Sequence, residues 1–165
     1  MKTVHKSVLI WYSAQEMYAL IIDVPRYPEF LPWCDRSAVV AEDATGMTAE
    51  VGLALGGLRQ SFTTRNTHIP GREVRLQLVS GPFSNLDGVW TFTPVGETQP
   101  SGEPTPEGVS SPVPSSPRAC RVDLKLNYGF DNFALSALVG PVFDKIASTL
   151  VEAFVKRAEQ VYGPV

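Results

Sequence analysis

The stretch LSALVGPVFDKIASTLVEAFVKRAE, residues 135–159, decides the fold of this chain. Its apolar residues recur at i, i+3, i+4 and i+7, with charged residues between them, as they do along an amphipathic helix. The pattern predicts a long helix that begins after Asp131 or Asn132 and ends at Gly163-Pro164. Gly140-Pro141 should kink this helix or divide it into two. A helix of this kind has an apolar face that a sheet can cover.

The sequence upstream of the helix has strand character. From Arg36 onward the pattern has a period of two, and over residues 47–55 apolar side chains alternate with polar or small ones, as is typical of a half-buried strand. Further strands are predicted at residues 3–11, 58–68, 73–80, 86–92 and 119–128. The breaks between most of these segments are short, which favours antiparallel neighbours.

A short helix is predicted after the first strand. Ser13 and Glu16 have the spacing of a capping box, and Pro25 should end the helix near Asp23. The segment from Tyr27 to Trp33 then combines two prolines with three aromatic residues and predicts a stiff turn. Strand, short helix, antiparallel sheet and long final helix is the order of an α+β protein.

Length and composition limit the range of functions. The chain has 165 residues, which suits one domain over residues 1–165, and 44% of them are hydrophobic, as in a globular protein. Fourteen basic and 17 acidic residues give a net charge of −3, which argues against DNA binding through overall charge. Apolar runs are too short for a membrane span or a signal peptide, so we expect a soluble cytoplasmic protein.

One segment differs in composition from the rest of the domain. Residues 96–118 contain six prolines, five serines and no aromatic residue among 23 positions. Such a segment cannot bury enough apolar surface to offset the entropy of ordering it, so it is predicted to be a disordered loop between two strands. It is either a tolerated extension of a loop or a partner-binding segment, and we assign it no function.

The residues that usually carry catalysis or bind metals are few and scattered. Cys34 and Cys120 have no paired spacing and are predicted to be buried free thiols; together with His5 and His68 they form no metal motif. Both histidines are interpreted as solvated or capping residues. Acidic residues occur singly, and no nucleophile elbow or phosphate-binding loop is present, so the residues argue against an enzyme.

Alternate strand positions place a set of apolar side chains on one face of the predicted sheet. The set comprises Phe62, Leu76, Leu78, Leu86, Trp90, Phe92, Val122, Leu124, Leu126 and Tyr128, with Thr64 among them. Leu138, Val142, Phe143, Ile146 and Leu150 of the helix are predicted to face this set. The pattern leaves open whether the two layers close into a solid core or enclose a ligand.

Several local runs point to a family. Residues 27–34 (YPEFLPWC), residues 61–66 (SFTTRN), Gly81-Pro82-Phe83 and residues 140–144 (GPVFD) resemble the coenzyme-Q-binding protein and ribosome-association toxin (RatA) family of the START-like, polyketide cyclase/dehydrase superfamily. The resemblance implies a helix-grip fold, in which a curved antiparallel sheet wraps around a long C-terminal helix and an apolar cavity. It covers most of the chain but not the insert at 96–118.

The resemblance implies binding of ubiquinone or a similar isoprenoid lipid, without catalysis, in support of respiratory electron transport. No metal or other cofactor is implied, and the resemblance is compatible with transient contact of the cytoplasmic protein with the inner membrane. The candidate ligand-binding residues are Phe30, Leu31, Trp33, Phe62, Leu76, Leu78, Phe83, Trp90, Tyr128, Leu138, Val142, Phe143 and Ile146. Phe30, Leu31 and Trp33 are expected at the cavity mouth. Arg65, Asn66 and Tyr128 are candidates for polar contacts.

The resemblance also implies an alternative, in which the protein binds the large ribosomal subunit and blocks its joining to the small subunit. Seven basic residues are candidates for that surface: Arg59, Arg72, Arg75, Arg121, Lys125, Lys156 and Arg157. Glu73, Asp123 and Glu152 lie near them in sequence and reduce their combined charge. A polyketide cyclase-like enzyme is the third alternative, and it lacks an evident catalytic residue.

Overall fold

Seven antiparallel strands form one sheet, and a long helix packs across one of its faces. The structure is a computed structural model that describes residues 2–55, 57–95, 119–130 and 132–163. The elements are β1 (Lys2–Ile10), α1 (Ala14–Ile22), a 3₁₀ segment (Val24–Glu29), β2 (Cys34–Asp43), β3 (Gly46–Leu55), β4 (Leu58–Ile69), β5 (Glu73–Ser80), β6 (Phe83–Pro94), β7 (Cys120–Phe130) and α2 (Phe133–Tyr162). The strand order is β1-β7-β6-β5-β4-β3-β2.

The predicted α+β helix-grip architecture is confirmed. The predicted strands are present, and β5 has the predicted bounds. β2 (Cys34–Asp43) had no separate prediction, because most of its side chains are exposed at the sheet edge and its sequence therefore shows the period of two less clearly than residues 47–55. The predicted disordered insert at 96–118 lies outside the described residues.

Helix α1 begins at the predicted capping box. The Glu16 amide donates to Ser13 Oγ at 3.0 Å, and the Ser13 amide donates to Glu16 Oε1 at 2.8 Å. The helix ends at Asp23, as predicted from Pro25, and the chain continues as the 3₁₀ segment. These contacts fix how the chain leaves β1 and crosses toward β2.

Helix α2 is continuous through Pro141, so it is not divided into two helices. Asn132 caps its first turn, where the Leu135 amide donates to Asn132 Oδ1 at 2.8 Å. Its inner face buries Val139, Phe143 and Ile146 against the sheet. By length and composition alone α2 could cross a membrane, a property that core helices of soluble proteins share.

The core between α2 and the sheet has two main parts. One surrounds Trp90 and Phe154, whose rings are 5.4 Å apart, and receives the apolar face of α1. The other surrounds Phe143, which lies 4.9 Å from Phe83. Both cysteines are free and buried, as predicted, and burial is the main reason that the pKa of Cys120 is raised to about 11.

A buried tyrosine connects α2 to the sheet. The Tyr128 hydroxyl donates to Asp144 Oδ1 at 2.5 Å, and Lys2 Nζ lies 2.5 Å from Asp144 Oδ2. Burial acts to raise the pKa of Asp144, but the hydrogen bonds from Lys2 and Tyr128 and the charge of Lys2 outweigh it, so the pKa lies below its ordinary value. The contact therefore joins β1, β7 and α2 most strongly when Asp144 is ionised.

Tyr128→Phe should lower the free energy of unfolding at pH 7 by about 1–2 kcal/mol, because it removes a hydrogen bond to a partly buried carboxylate. A carboxyl group whose pKa is lowered on folding stabilises the fold above its unfolded pKa, and this contribution is lost as the pH falls through the folded pKa. The difference between the variant and the wild type should therefore shrink on acidification. Urea unfolding at several pH values measures it.

Tyr162→Phe is the matched control, because the Tyr162 hydroxyl donates to the uncharged carbonyl oxygen of Glu16 at 2.8 Å. Its effect on stability should not depend on whether Asp144 is ionised. Equal pH dependence in the two variants would contradict the role given to Asp144.

Candidate functional site

A cavity of about 90 Å³ lies between the inner face of the sheet and α2. Strands β3 to β7, both helices and the segment that follows α1 contribute its walls, which are mostly apolar. Seven of the predicted ligand-binding residues line it: Leu31, Trp33, Phe62, Leu76, Trp90, Phe143 and Ile146. The alternation of strand side chains and the helical period thus bring residues from distant parts of the sequence to one site.

Leu138 does not face the cavity, which corrects its predicted orientation. Its side chain is 60% exposed, whereas Val139 beside it is fully buried. Successive residues of a helix are rotated by about 100°, and α2 is oriented with Val139, Phe143 and Ile146 toward the sheet. Leu138 consequently lies on the flank of α2.

Five other predicted residues pack near the cavity without lining it. Leu78, Phe83 and Val142 belong to the core cluster around Phe143, and Tyr128 is in the same cluster with its hydroxyl bound to Asp144. Phe30 was predicted at the mouth of the cavity, but it packs 5.2 Å from the Phe154 ring, and Arg157 Cζ lies 4.9 Å from its ring centre. The Phe30 ring therefore lies in a separate surface groove, between residues 28–33 and the C-terminal half of α2.

Sequence reasoning missed the part of the wall formed by α1 and the 3₁₀ segment. Ile21, Val24 and Tyr27 line the cavity there, and the Tyr27 hydroxyl donates to the carbonyl oxygen of Ile21. Burial is the main cause of the raised pKa of Tyr27. The apolar spacing of α1 indicated a buried face, but it did not indicate that residues of this face line the cavity.

Three polar residues of β4 line the otherwise apolar cavity. Thr64, Asn66 and His68 occupy alternate positions on its inner face, and Thr64 Oγ1 donates to Asn66 Oδ1 at 2.7 Å. Thr64 and Asn66 are only 5% and 7% exposed. Gly46 permits the close approach of β3 here, because a Cβ at that position would lie 1.9 Å from the carbonyl oxygen of Asn66.

His68 differs from its interpretation as a solvated or capping residue. Its Nε2 atom is buried and has no hydrogen-bond partner among the described residues, and the Tyr18 ring packs 6.1 Å away. Burial lowers the pKa of His68, with a further contribution from Arg65 that outweighs the opposing effect of Glu42. The imidazole is therefore neutral at pH 7.

Arg65 is not available for a polar contact in the cavity. It points to the outer face of the sheet, where its NH2 group lies 3.0 Å from Asp43 Oδ1 and 2.8 Å from Thr45 Oγ1. The hydrogen bond from Arg65 is the main reason that the pKa of Asp43 is lowered, and the amide and hydroxyl of Thr45, which also donate to Asp43 Oδ1, lower it further. Of the three candidates for polar contacts, Asn66 is the one that lines the cavity.

The size of the cavity limits what it can hold in this conformation. Ligand sites for drug-sized molecules are typically about 300–1,000 Å³, and an apolar cavity of about 150 Å³ in another protein takes up benzene. A space of about 90 Å³ suits a few waters or a very small molecule. An isoprenoid tail would require α2 or the segment after α1 to move outward.

The seven basic candidates do not form one continuous patch. Arg75, Arg121 and Lys125 lie on the outer face of the sheet, whereas Lys156 and Arg157 lie on α2 beside the groove described above. Several of the arginines pair with a carboxylate: Arg59 with Asp35 at 3.2 Å, Arg75 with Glu73 at 2.5 Å, Arg121 with Asp123 at 3.8 Å and Arg157 with Glu29 at 2.6 Å. Much of the positive charge is therefore compensated locally.

The described residues contain no cluster of metal-binding side chains. Within residues 2–55, 57–95, 119–130 and 132–163, no three His, Cys, Asp or Glu side chains lie together in a way that could hold a metal ion. His5 Nε2 lies 3.8 Å from Asp123 Oδ1 on the outer face of the sheet, away from the cavity.

Comparisons with known proteins agree on the family. A family model described as "Polyketide cyclase / dehydrase and lipid transport" matches residues 10–155. The ribosome association toxin RatA of Pseudomonas aeruginosa is 39% identical over 160 residues, which cover 97% of each chain. A mitochondrial coenzyme Q-binding protein, COQ10 homolog B of Xenopus laevis, is 28% identical over 96% of this chain but only 58% of its own length.

Solved structures show the same fold at low sequence identity. The ZhuI aromatase/cyclase of a Streptomyces species superposes with a TM-score of 0.75 over 99% of each chain, at 12% identity. At this level of identity the likeness concerns the fold alone.

Phe143→Ala should lower the free energy of unfolding by about 3–5 kcal/mol, because it removes a buried ring that contacts Phe83 and Tyr128. Leu138→Ala, five residues earlier on the same helix, should change it by less than about 0.5 kcal/mol, because Leu138 is mostly exposed. Urea unfolding of the two variants checks the rotation of α2. Similar losses in both would mean that α2 is oriented differently.

Proposed function

This chain belongs to the polyketide cyclase/dehydrase and lipid transport family and, within it, to the family of the ribosome association toxin RatA; we propose that it acts by binding the ribosome. In this proposal it is a non-catalytic toxin that binds the large ribosomal subunit and blocks its joining to the small subunit. The observation that carries the proposal is similarity to RatA over 97% of both chains. The match includes the sheet and α2 together.

The outer face of the sheet is the surface that we assign to this contact. Helix α2 covers the inner face, whereas the outer face carries polar and basic side chains. His5, Lys125, Val89 and Arg75 lie in register on four neighbouring strands. The exposed Lys125 has no ion pair among the described residues, and Arg75 pairs only with Glu73 of its own strand.

This surface supports contacts with phosphate without strong nonspecific attraction. Arg75 and Arg121 can exchange their neighbouring carboxylates for phosphate groups, while those carboxylates reduce attraction to other nucleic acids. A small number of phosphate contacts gives a moderate dependence of binding on salt concentration.

The test is cosedimentation of the purified protein with isolated large ribosomal subunits through a sucrose gradient. The wild type should cosediment, and binding should weaken as the salt concentration rises. Arg75→Glu/Lys125→Glu should reduce binding by at least about tenfold, because it replaces two positive charges by negative ones on the proposed surface.

The matched control is Lys156→Glu, a charge reversal on α2 beside the groove. It should bind like the wild type. If the wild type does not cosediment, ribosome binding is contradicted. If Lys156→Glu loses as much binding as Arg75→Glu/Lys125→Glu, only the assignment of the contact to the outer face is contradicted.

Binding of a hydrophobic ligand is a second candidate function, and the apolar cavity with its buried polar residues favours it. The relatives named coenzyme Q-binding proteins support a ligand such as ubiquinone, carried in aid of respiratory electron transport. This function uses the inner face of the sheet, so it is compatible with ribosome binding at the outer face. For an isoprenoid ligand it requires the cavity to widen.

Mass spectrometry of an organic extract tests this candidate. The protein is purified without detergent from its own cells, and the extract should contain a stoichiometric isoprenoid quinone or lipid. Ala147→Leu should lose it, because a longer side chain at a position that lines the cavity reduces the space for a ligand, while Leu138→Ala should retain it. An extract of the wild type without such a molecule would contradict the carrier function.

A further inference from the structure

The His68 side chain contains a polar atom whose environment the fold does not explain. Its Nε2 atom is buried without a hydrogen-bond partner within the described part of the chain. Leaving such an atom without a partner reduces stability, because the atom loses its hydrogen bonds to water, and buried polar groups are therefore nearly always hydrogen-bonded. His68 also lines the cavity, where a bound molecule can supply the missing partner.

Asn66 adds a second polar group to the same wall. Its Oδ1 atom accepts the hydrogen bond from Thr64, which orients the amide and leaves Nδ2 as a donor. Among the described residues, no hydrogen-bond acceptor is paired with this Nδ2 atom. Asn66 and His68 occupy alternate positions on the inner face of β4, so their side chains point to the same side of the sheet.

The opposite parts of the cavity wall are apolar. Leu126, Phe143 and Ile146 contribute there, from β7 and α2. A molecule in this space therefore meets hydrogen-bonding groups on the β4 side and hydrocarbon on the other sides. Such a distribution orients a ligand that has one polar end.

We propose that Asn66 and His68 bind the oxygen-bearing end of a small, neutral and otherwise apolar ligand, of the class of phenols. Asn66 Nδ2 donates to the oxygen, and His68 Nε2 accepts the hydroxyl proton. Thr64 is a positioning residue that fixes the Asn66 amide. The proposal rests on the second candidate function, ligand binding in the cavity, and is independent of ribosome binding.

Phenol and toluene are the probes, because they have nearly the same size and shape. Phenol carries a hydroxyl group where toluene carries a methyl group. Both are slightly larger than benzene, so both require the cavity of about 90 Å³ to widen, and by a similar amount. Ligand-observed NMR titration of the full chain gives the two dissociation constants. The measured quantity is the ratio of the toluene Kd to the phenol Kd, which separates the polar contact from simple apolar burial.

Thr64→Val/Asn66→Leu and His68→Leu are the test variants. The first replaces both partners of the buried hydrogen bond, so that it leaves no unpaired hydroxyl. Each variant should lower the ratio by about fivefold to tenfold, since one hydrogen bond is lost. Thr67→Val, an exposed residue between Asn66 and His68 on β4, is the control and should leave the ratio unchanged.

A second measurement uses the wild type alone and does not depend on the folding of a variant. Long-range ¹H–¹⁵N correlation spectra report the Nε2 chemical shift of His68, which should move when phenol binds and stay nearly constant when toluene binds. A lower Kd ratio in both test variants, together with a change of the Nε2 shift that only phenol causes, would support the proposal.

Two outcomes would overturn it. In the first, both probes bind, neither variant changes the Kd ratio, and the Nε2 shift responds equally to phenol and toluene. The cavity then binds apolar molecules without using its polar residues. If the wild type binds neither probe, water alone satisfies His68, and the ligand-binding function fails for molecules of this size as well. Ribosome cosedimentation is unaffected in either case.

Discussion

The packing of the apolar face of α2 against the inner face of the sheet is the contact on which the rest of the structure depends. Phe143 and Phe154, three helical turns apart, each anchor an aromatic cluster: Phe143 contacts Phe83 and Tyr128, and Phe154 contacts Trp90. Burying a large side chain of this kind contributes about 1.5–3 kcal/mol. Because the two clusters hold α2 against the sheet at two points, the side chains between these points determine how much space remains between helix and sheet.

Five small or polar residues among the larger apolar ones contribute to the space between these clusters. Ala49 and Ala147 leave space in the opposite walls, and Thr64, Asn66 and His68 stand where longer apolar side chains would fill it. Polar groups at buried positions reduce stability unless they find partners. Their presence on one strand, in an otherwise apolar wall, connects the packing of the domain to the ligand chemistry proposed for it.

The two proposed functions use different faces of the sheet. The inner face and α2 surround the cavity, whereas the outer face carries Arg75, Arg121 and Lys125 among carboxylates that moderate their charge. Relatives named for ribosome association and relatives named for coenzyme Q binding both match nearly the whole length of this chain in sequence. One domain can serve both roles, because ribosome contact at the outer face leaves the cavity unobstructed.

The sequence by itself determined the elements and the residues that turn inward. Periods of two and 3.6, the Ser13–Glu16 capping box and the prolines are local signals, and they predicted six of the seven strands, both helices and seven residues of the cavity wall. Only the tertiary structure decided the rotation of α2, which exposes Leu138, and the closure of the cavity by Ile21, Val24 and Tyr27. It also decided that His68 Nε2 is buried. These features depend on contacts between segments far apart in the chain, which the local period of a sequence does not specify.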